Sequence, residues 1–423
     1  MSGRLGLFQG FGVELEYMVV DAGSLDVLPV VDRILAAQAG TIVPEVEVGS
    51  LAWSNELVLH VVELKTNGPA PFLTGLQNAF QSHVGKVSSI LSDMGGILLP
   101  TAMHPWMNPH RETVLWPHEF SPVYHAYDRI FGCQGHGWSN LQSTHINLPF
   151  ADDGEFGRLH AAIRLILPIL PGVAASSPLV EGRTTGFLDS RMEVYRHNSR
   201  RIPSVAGEII PEPIFTRGDY EREILGRMYL DIAPLDPEGI LQEEFLNSRG
   251  AIARFGRGSI EIRVVDVQEC PGADLALVGL TVGALRLLVD QVISPVARQK
   301  AMASPPLVAA FQECIRHGEA AVIRDREYLE VMGFPGRGAR ARELWWHLLE
   351  RADGESYLQD PDQAREARHI LRRGTLADQI LRALGLNGKG TGGAGAPVPR
   401  GAMEELFREL AACLRAGQLF YGS

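Results

Sequence analysis

The 423-residue sequence predicts an α+β fold built on a largely antiparallel sheet, and three observations carry that prediction. Segments with strand-like alternation cluster before residue 270, and helical periodicity dominates after it. That grouping argues against a doubly wound parallel sheet, where strands and helices alternate. No GxxxxGK[ST] or GxGxxG stands at a strand-to-helix junction, so neither a P-loop nor a dinucleotide fold is indicated. At 45% hydrophobic residues the chain can bury a sizeable core, as one large or two ordinary domains.

The elements follow in order. Residues 11–20, Phe-Gly-Val-Glu-Leu-Glu-Tyr-Met-Val-Val, alternate as a strand. Residues 55–66 read as a second strand, ended by Asn67-Gly68-Pro69. Residues 74–94 have helical spacing and stop at Gly95-Gly96. Residues 97–100 form a short strand, and residues 105–125, rich in Pro, His and Trp, read as a covering loop. A strand over 141–148 precedes a helix over 155–175. After Gly186 a helix carries Arg191 and Tyr195. A Gly-rich turn at 255–258 leads into a strand over 259–267, then a long apolar helix over 272–295. Residues 303–385 are helical throughout. The domain reading is a strand-rich 1–270 and a helical 271–385, a Gly/Pro-rich flexible linker over 386–400, and an amphipathic helix in 401–423. That last helix can dock on its own chain or on a second copy in a homo-oligomer.

The net charge is −11 and no Lys/Arg block forms, which excludes a nucleic-acid footprint. The longest apolar runs are broken by Arg164, Pro168 and Pro171, or by Arg286 and Asp290, so they read as buried helices and not membrane spans. The first residues lack a signal-peptide apolar region. Cys133, Cys270, Cys314 and Cys413 are scattered without a CxxC pair, which fits a reducing cytoplasm and neither zinc nor a disulfide framework.

The chemistry-bearing residues sit mostly on strands. Glu14 and Glu16 share a face about 6.6 Å apart, with Val13, Leu15 and Tyr17 opposite. Two like charges side by side need a solvated edge or a cation. Glu63, between Val62 and Leu64, is a carboxylate in apolar company and needs a partner. Glu56 has the wrong parity for Glu63 on one regular strand, so it joins the same cavity only across a bend or from before the strand proper; otherwise it is a surface residue. His145 and Asn147 share a face; a lone strand histidine is an ordinary structural residue unless acids converge on it. Glu261 and Arg263 also share a face, as an ion pair or as a metal ligand beside a phosphate clamp. Asp266 has the other parity and reads as structural. Arg191 and Tyr195, four apart, share a helix face, where the arginine can hold a carboxylate or merely pair at the surface. Oxygen ligands with one imidazole suit Mg²⁺ or Mn²⁺ better than zinc. Together they describe a cavity for several divalent ions and a polyphosphate, suited to ATP-dependent activation of a carboxylate.

In order and spacing these motifs resemble the glutamate–cysteine ligase superfamily, nearest to its carboxylate–amine ligase branch, family 2. The resemblance covers most of residues 11 to about 300, with a weaker echo at Leu371–Ala383. It rests on Gly12-Val13-Glu14-Leu15-Glu16-Tyr17, Glu56 with Val62-Glu63-Leu64, His104-Pro105, and Thr144-His145-Ile146-Asn147-Leu148. Further on come Ser177-Pro178 with Glu181-Gly182-Arg183 and Gly186, Arg191 to Tyr195, and Arg254-Phe255-Gly256 leading to Ile260-Glu261-Ile262-Arg263. Where many members carry His-x-His, this chain has Ser143-x-His145.

The resemblance implies a curved antiparallel sheet forming a funnel, similar to glutamine synthetase. It implies several Mg²⁺ (or Mn²⁺) ions on Glu14, Glu16, Glu56, Glu63, His145 and Glu261. Arg263, with Asn147 and Arg254, would face ATP. Arg263 and Arg191 would be the catalytic arginines, and Arg191 and Tyr195 would face the amino-acid substrate. The implied reaction phosphorylates the glutamate γ-carboxylate and joins it to an amine, cysteine first, as in glutathione biosynthesis. Two alternatives stand beside it: a specialised ligase with another amine or peptide acceptor, and a non-catalytic nucleotide-binding relative.

Overall fold

The computed structural model describes residues 4–386 and 394–422. Its centre is an eight-stranded antiparallel sheet, with strands β1 Gly12–Asp21, β2 Glu45–Val48, β3 Leu51–Asn55, β4 Val61–Thr66, β5 Gly96–Leu99, β6 Ser143–Pro149, β7 Ala251–Arg254 and β8 Ser259–Asp266. The order is β2-β3-β4-β1-β6-β8-β7, with β5 also pairing β1. Strand β1 is the hinge of this arrangement. Its first half, Gly12–Leu15, pairs β6; its second half, Met18–Asp21, pairs β5 along the same edge. Its other edge carries β4. The sheet therefore opens where β5 and β6 part.

Period-two alternation gives the sheet one apolar and one polar face. Val13, Leu15, Tyr17, Val62, Leu64, Ile146, Leu148, Ile260 and Ile262 are fully buried on the apolar face. They form one continuous core with helices α1 (Leu76–Ser92), α2 (Asp153–Ile166) and, further along the chain, α4 (Pro271–Val289). The short helix between them is α3 (Ser190–Tyr195), which buries Ser190, Arg191 and Met192, the last in the same core. Helix α4 is long and apolar enough to cross a membrane by composition, but 89% of that stretch is buried inside the protein. Its one early acid, Asp274, is anchored by Thr144 Oγ1 at 2.6 Å and by the Gln268 amide, which ties the helix to β6.

Several expectations are corrected. Residues 55–66 are not one strand: Asn55 ends β3, 56–60 is a loop, and β4 begins at Val61. The loop keeps its apolar residues because it is covered; the Leu59 amide bonds the Val114 carbonyl, and Val58 bridges Leu115. Strands β2 and β3 and their Gly49-Ser50 turn were not expected. Residues 105–125 are not all loop, since a helix runs from Ser121 to Phe131. Pro168 and Pro171 split the expected 155–175 helix into α2 and two short turns.

Part of the expected linker, 387–393, lies outside the described residues. The described part, 394–400, is not free chain. The amides of Gly395 and Val398 bond the carbonyls of Thr184 and Gly182, and the Thr184 amide bonds Ala396. The final helix, Arg400–Ala416, then docks on its own chain, against β5 and α1. Met403, Leu406, Phe407 and Leu410 are buried there beside Leu99 and Met18. The Arg400 guanidinium lies 3.8 Å over the Trp106 ring.

Candidate active site

The polar face gathers the candidate residues in cross-strand rows. Register sets Glu16 opposite Glu63, and Glu14 between Lys65 and His145. It also sets Asn147 between Gly12 and Glu261. Gly12 is needed for this approach: a Cβ there would stand 2.8 Å from the Asn147 Cβ. A register shift between Ile262 and Val265 puts a bulge at Arg263, which bends β8 and lets Asp266 face inward to the loop at Ser176.

Each carboxylate but one has a dedicated partner. Glu14 accepts from Asn147 Nδ2 at 2.9 Å and meets His145 Nδ1 at 2.9 Å. Glu16 accepts from the Ser143 amide at 2.6 Å and from Ser143 Oγ at 2.8 Å. The same Ser143 hydroxyl lies 2.8 Å from His145 Nε2. Ser143 is thus the bridge between Glu16 and the imidazole. Glu63 accepts from Ser54 Oγ at 2.8 Å and pairs with Lys65 Nζ at 2.9 Å. Arg254 Nε donates to Glu261 at 3.2 Å. Arg263 Nε stands 3.0 Å from the other Glu261 oxygen, off hydrogen-bond geometry, so that N–H has no partner among the described residues.

The exception is Glu56. It leaves the sheet at the end of β3 and turns back, so strand parity does not apply to it, and its carboxylate meets Glu16 and Glu63. Burial pushes its pKa well above the usual carboxylate range, reinforced by the charges of Glu16 and Glu63. Burial also raises Glu16, against the pull of His145. Burial would raise Glu14 and Glu261 too, but the His145 hydrogen bond holds Glu14 low, and Arg263 with Arg254 hold Glu261 low. Burial would lower His145; the Glu16 and Glu14 carboxylates reverse that and favour imidazolium.

Among the described residues, two sets of side chains bring one ligand atom each within 4.8 Å of one another: Glu14, Glu63 and His145, and Glu16, Glu56 and Glu63. Glu63 belongs to both. Oxygen donors with one imidazole, crowded enough to push Glu56 toward its protonated form, fit hard divalent cations. Beside them a cleft of about 320 Å³ opens along Gly12, Glu14, Lys65, Asn147 and Arg257.

Arg191 is not a free fork. It is 2% exposed, its Nε bonds Asp266 Oδ1 at 2.5 Å, and its Nη1 and Nη2 reach the Arg263 carbonyl at 3.2 and 3.3 Å. Ser177 Oγ and the Ser176 amide complete the Asp266 shell. Tyr195, one turn on, has a buried hydroxyl with no partner among the described residues. Tyr124, on the unexpected Ser121–Phe131 helix, takes a 3.0 Å bond from Asn55 Nδ2. Its hydroxyl is raised to about 12 by burial and then by the Glu56 charge.

Sequence reasoning missed four members of this site: Ser54, Lys65, Tyr124 and Ser143 as a bridge. Lys65 was findable, since it shares parity with Glu63. Ser54 was hidden with strand β3.

Comparison with known proteins places the chain. The model of glutamate–cysteine ligase family 2 matches residues 10–409. An uncharacterised protein of Archaeoglobus fulgidus is 33% identical over 327 residues, covering 76% of this chain and 88% of its own length. A candidate glutamate–cysteine ligase 2 of Salinispora arenicola is 27% identical over 82% of this chain and 84% of its own. The fold is similar to glutamate–cysteine ligase from Francisella tularensis, solved with AMP (TM-score 0.57, 13% identity, 98% of this chain and 90% of that one). It is equally similar to a bifunctional glutathione synthetase from Pasteurella multocida (TM-score 0.57, 14% identity, 96% of this chain), of whose length this chain spans 53%. With the family model matching nearly the whole chain over the same ordered motifs, the protein belongs to glutamate–cysteine ligase family 2.

Proposed function

We propose that this protein is an ATP-dependent ligase that phosphorylates an amino-acid carboxylate, first the γ-carboxylate of glutamate, and joins it to an amine, first cysteine. The products are a γ-glutamyl amide, ADP and phosphate, as in glutathione biosynthesis. The observation that carries this reading is the convergence of Glu14, Glu16, Glu56, Glu63, His145 and Glu261, from four strands and a loop, beside Arg254 and Arg263. Mg²⁺ or Mn²⁺ on the two overlapping ligand sets, with Glu261 completing the first, would neutralise phosphate oxygens.

The rest falls to the chain's own groups. No protein nucleophile is needed, because the substrate carboxylate attacks the γ-phosphorus of ATP directly, and the amine then attacks the acyl phosphate. The catalytic work is positioning and charge stabilisation. The Arg263 guanidinium, ion-paired with Glu261 through Nε, is the cation that would stabilise charge as the phosphoryl group moves. Asn147, which lines the cleft, and Arg254, which pairs with Glu261, would contact the ATP phosphates. Arg191 acts through Arg263 as a positioning residue, since its terminal nitrogens hold the Arg263 carbonyl. The Tyr195 hydroxyl, buried with no partner among the described residues, would take a substrate carboxylate. A reducing cytoplasm suits the four unpaired cysteines.

The test is direct. With ATP, Mg²⁺ and glutamate, the purified protein should release ADP when the right amine is added. No ADP across a broad panel of acids and amines overturns the reading. A second reading keeps the ATP chemistry and changes the acceptor. It is favoured by the aromatic side of the site, where Tyr127 packs on Trp138 with centroids 5.3 Å apart near Arg263. Cysteine giving the highest kcat/KM among the amines decides for the first reading.

A further inference from the structure

We propose that Lys65 is an exchange residue: its ammonium neutralises Glu63 while the metal site is empty of cations, and moves to a phosphate oxygen of the nucleotide when a divalent ion takes Glu63. This rests on the ligase reading for the identity of the nucleotide.

The argument begins with charge. Glu261 is matched by Arg254 and Arg263, Glu14 by His145 and Asn147, and Glu16 by Ser143. The cation matching Glu63 is Lys65, 2.9 Å from Oε1. Glu63 is also the one carboxylate common to both candidate ligand sets. A divalent ion in either set must therefore compete with this ammonium, and two cations on one carboxylate repel. Lys65 is the right residue to give way. Its ammonium is a point charge on a flexible four-carbon stem, with no fork to hold it in a fixed plane.

Two destinations are open to the displaced group. One is Glu45, 2.7 Å from Nζ. That carboxylate is 49% exposed on the edge strand β2, and such pairs contribute little. The other is the 320 Å³ cleft, which Lys65 lines together with Glu14, Asn147 and Arg257. Register places the Lys65 Cα opposite Glu14, two residues along β4 from Glu63 toward that cleft, so a change of rotamer suffices without backbone motion. A polyphosphate there offers the strongest acceptor within reach. By linkage, a nucleotide that captures Lys65 also frees Glu63, so metal and nucleotide bind with positive coupling.

The experiment compares wild type with Lys65→Met, Lys65→Gln and Lys65→Arg by calorimetry, after circular dichroism confirms folding. The probes are Mn²⁺ alone and a non-hydrolysable ATP analogue in the presence of Mn²⁺. Lys65→Met and Lys65→Gln should bind Mn²⁺ alone several-fold more tightly, since the competing charge is gone. The same variants should bind the analogue about tenfold more weakly, the scale of one charge-assisted hydrogen bond. Lys65→Arg, which keeps the charge, should recover most of the analogue affinity. Opposite shifts for the two probes are what a merely structural lysine would not produce. Unchanged analogue affinity, or Mn²⁺ binding that weakens, overturns the proposal. If wild type binds the analogue and the variants match it, Lys65 alone is misassigned; if wild type binds neither probe, the ligase reading falls with it.

Discussion

Glu56→Gln tests the metal assignment in the protein without any catalysis. Glu56, Glu16 and Glu63 each offer an oxygen within 4.8 Å of the others. At an effective dielectric of about 20, an ionised pair at that distance repels by about 3.5 kcal/mol, so Glu56 faces a ceiling of about 7 kcal/mol from its two neighbours. The full ceiling is not felt, because burial and these charges drive Glu56 toward its protonated form. Glu16 has Ser143 and Glu63 has Ser54 and Lys65 to offset their burial, whereas Glu56 has no such donor among the described residues. The isosteric amide removes the charge and can donate to Glu63. The expected gain in EDTA is about 1–3 kcal/mol, which at roughly 2.1 cal/mol/K per residue shifts Tm upward by about 1–3 °C for this chain length. Saturating Mn²⁺ should invert the order. Wild type gains about 2.7 kcal/mol at a hundredfold excess over Kd, and the variant, short of one ligand, gains less. Differential scanning calorimetry with EDTA and with Mn²⁺ reads both. A variant that melts no higher than wild type in EDTA, yet keeps the full Mn²⁺ shift, would refute the triad.

Three further outcomes follow from the same geometry. Ser143→Ala strands one Glu16 bond and the His145 Nε2 contact, so it should cost about 1–2 kcal/mol in chemical denaturation and lower ADP formation, and wild-type turnover would show that the bridge is idle. Arg191→Ala leaves Asp266 buried without its cation and should destabilise by about 3–5 kcal/mol. Asp266→Asn in the same background should recover part of that, and additive effects would dismiss the pair. The third concerns pH. Burial lowers His60 and His104 to about 4 and His160 to about 3, from 6.5. Below pH 6.5 the unfolded chain takes protons that these folded histidines refuse. Stability should therefore fall as pH drops from 6.5 toward 4, by up to about 1.4 kcal/mol per pH unit for each group. Glu269, raised to about 7 by burial, has the opposite sign: its contribution is present below 4.5 and is lost as pH rises through 7. Glu16, Glu56, Asp189 and Asp274, also raised by burial, share the sign of Glu269, so the histidine share is read as a difference: urea titrations of wild type and His160→Phe at pH 7, 6 and 5 should show a shallower loss in the variant between 6 and 5, and identical slopes would dismiss the histidine account.

Particular residues show where the sequence was legible. The pairs Glu14/Glu16, His145/Asn147 and Glu261/Arg263 were readable because strand parity is local and survives any strand order. The helix carrying Arg191 was readable too, but not the fate of the arginine. Its role depends on Asp266, 75 residues away, turned inward by a bulge with no sequence signature of its own. Strand β3 escaped because Leu51–Asn55 is buried throughout and lacks alternation. With it went Ser54, the donor to Glu63, and the loop that brings Glu56 back over the sheet.

By itself, the sequence determined the chemistry available: inward carboxylates with one imidazole and two arginines on antiparallel strands, the motif order of the family, and a final helix with one apolar face. These are properties of spacing and residue type, and they hold wherever the segments lie. The tertiary structure decided which groups meet. It set Glu16 opposite Glu63, made Ser143 the bridge to His145, gave Arg191 to Asp266, put Lys65 on the carboxylate both ligand sets share, and seated the last helix on its own chain. The physical reason is that a buried charge takes its energy from neighbours within a few ångströms, and register, bulges and loop closures choose those neighbours from distant parts of the chain.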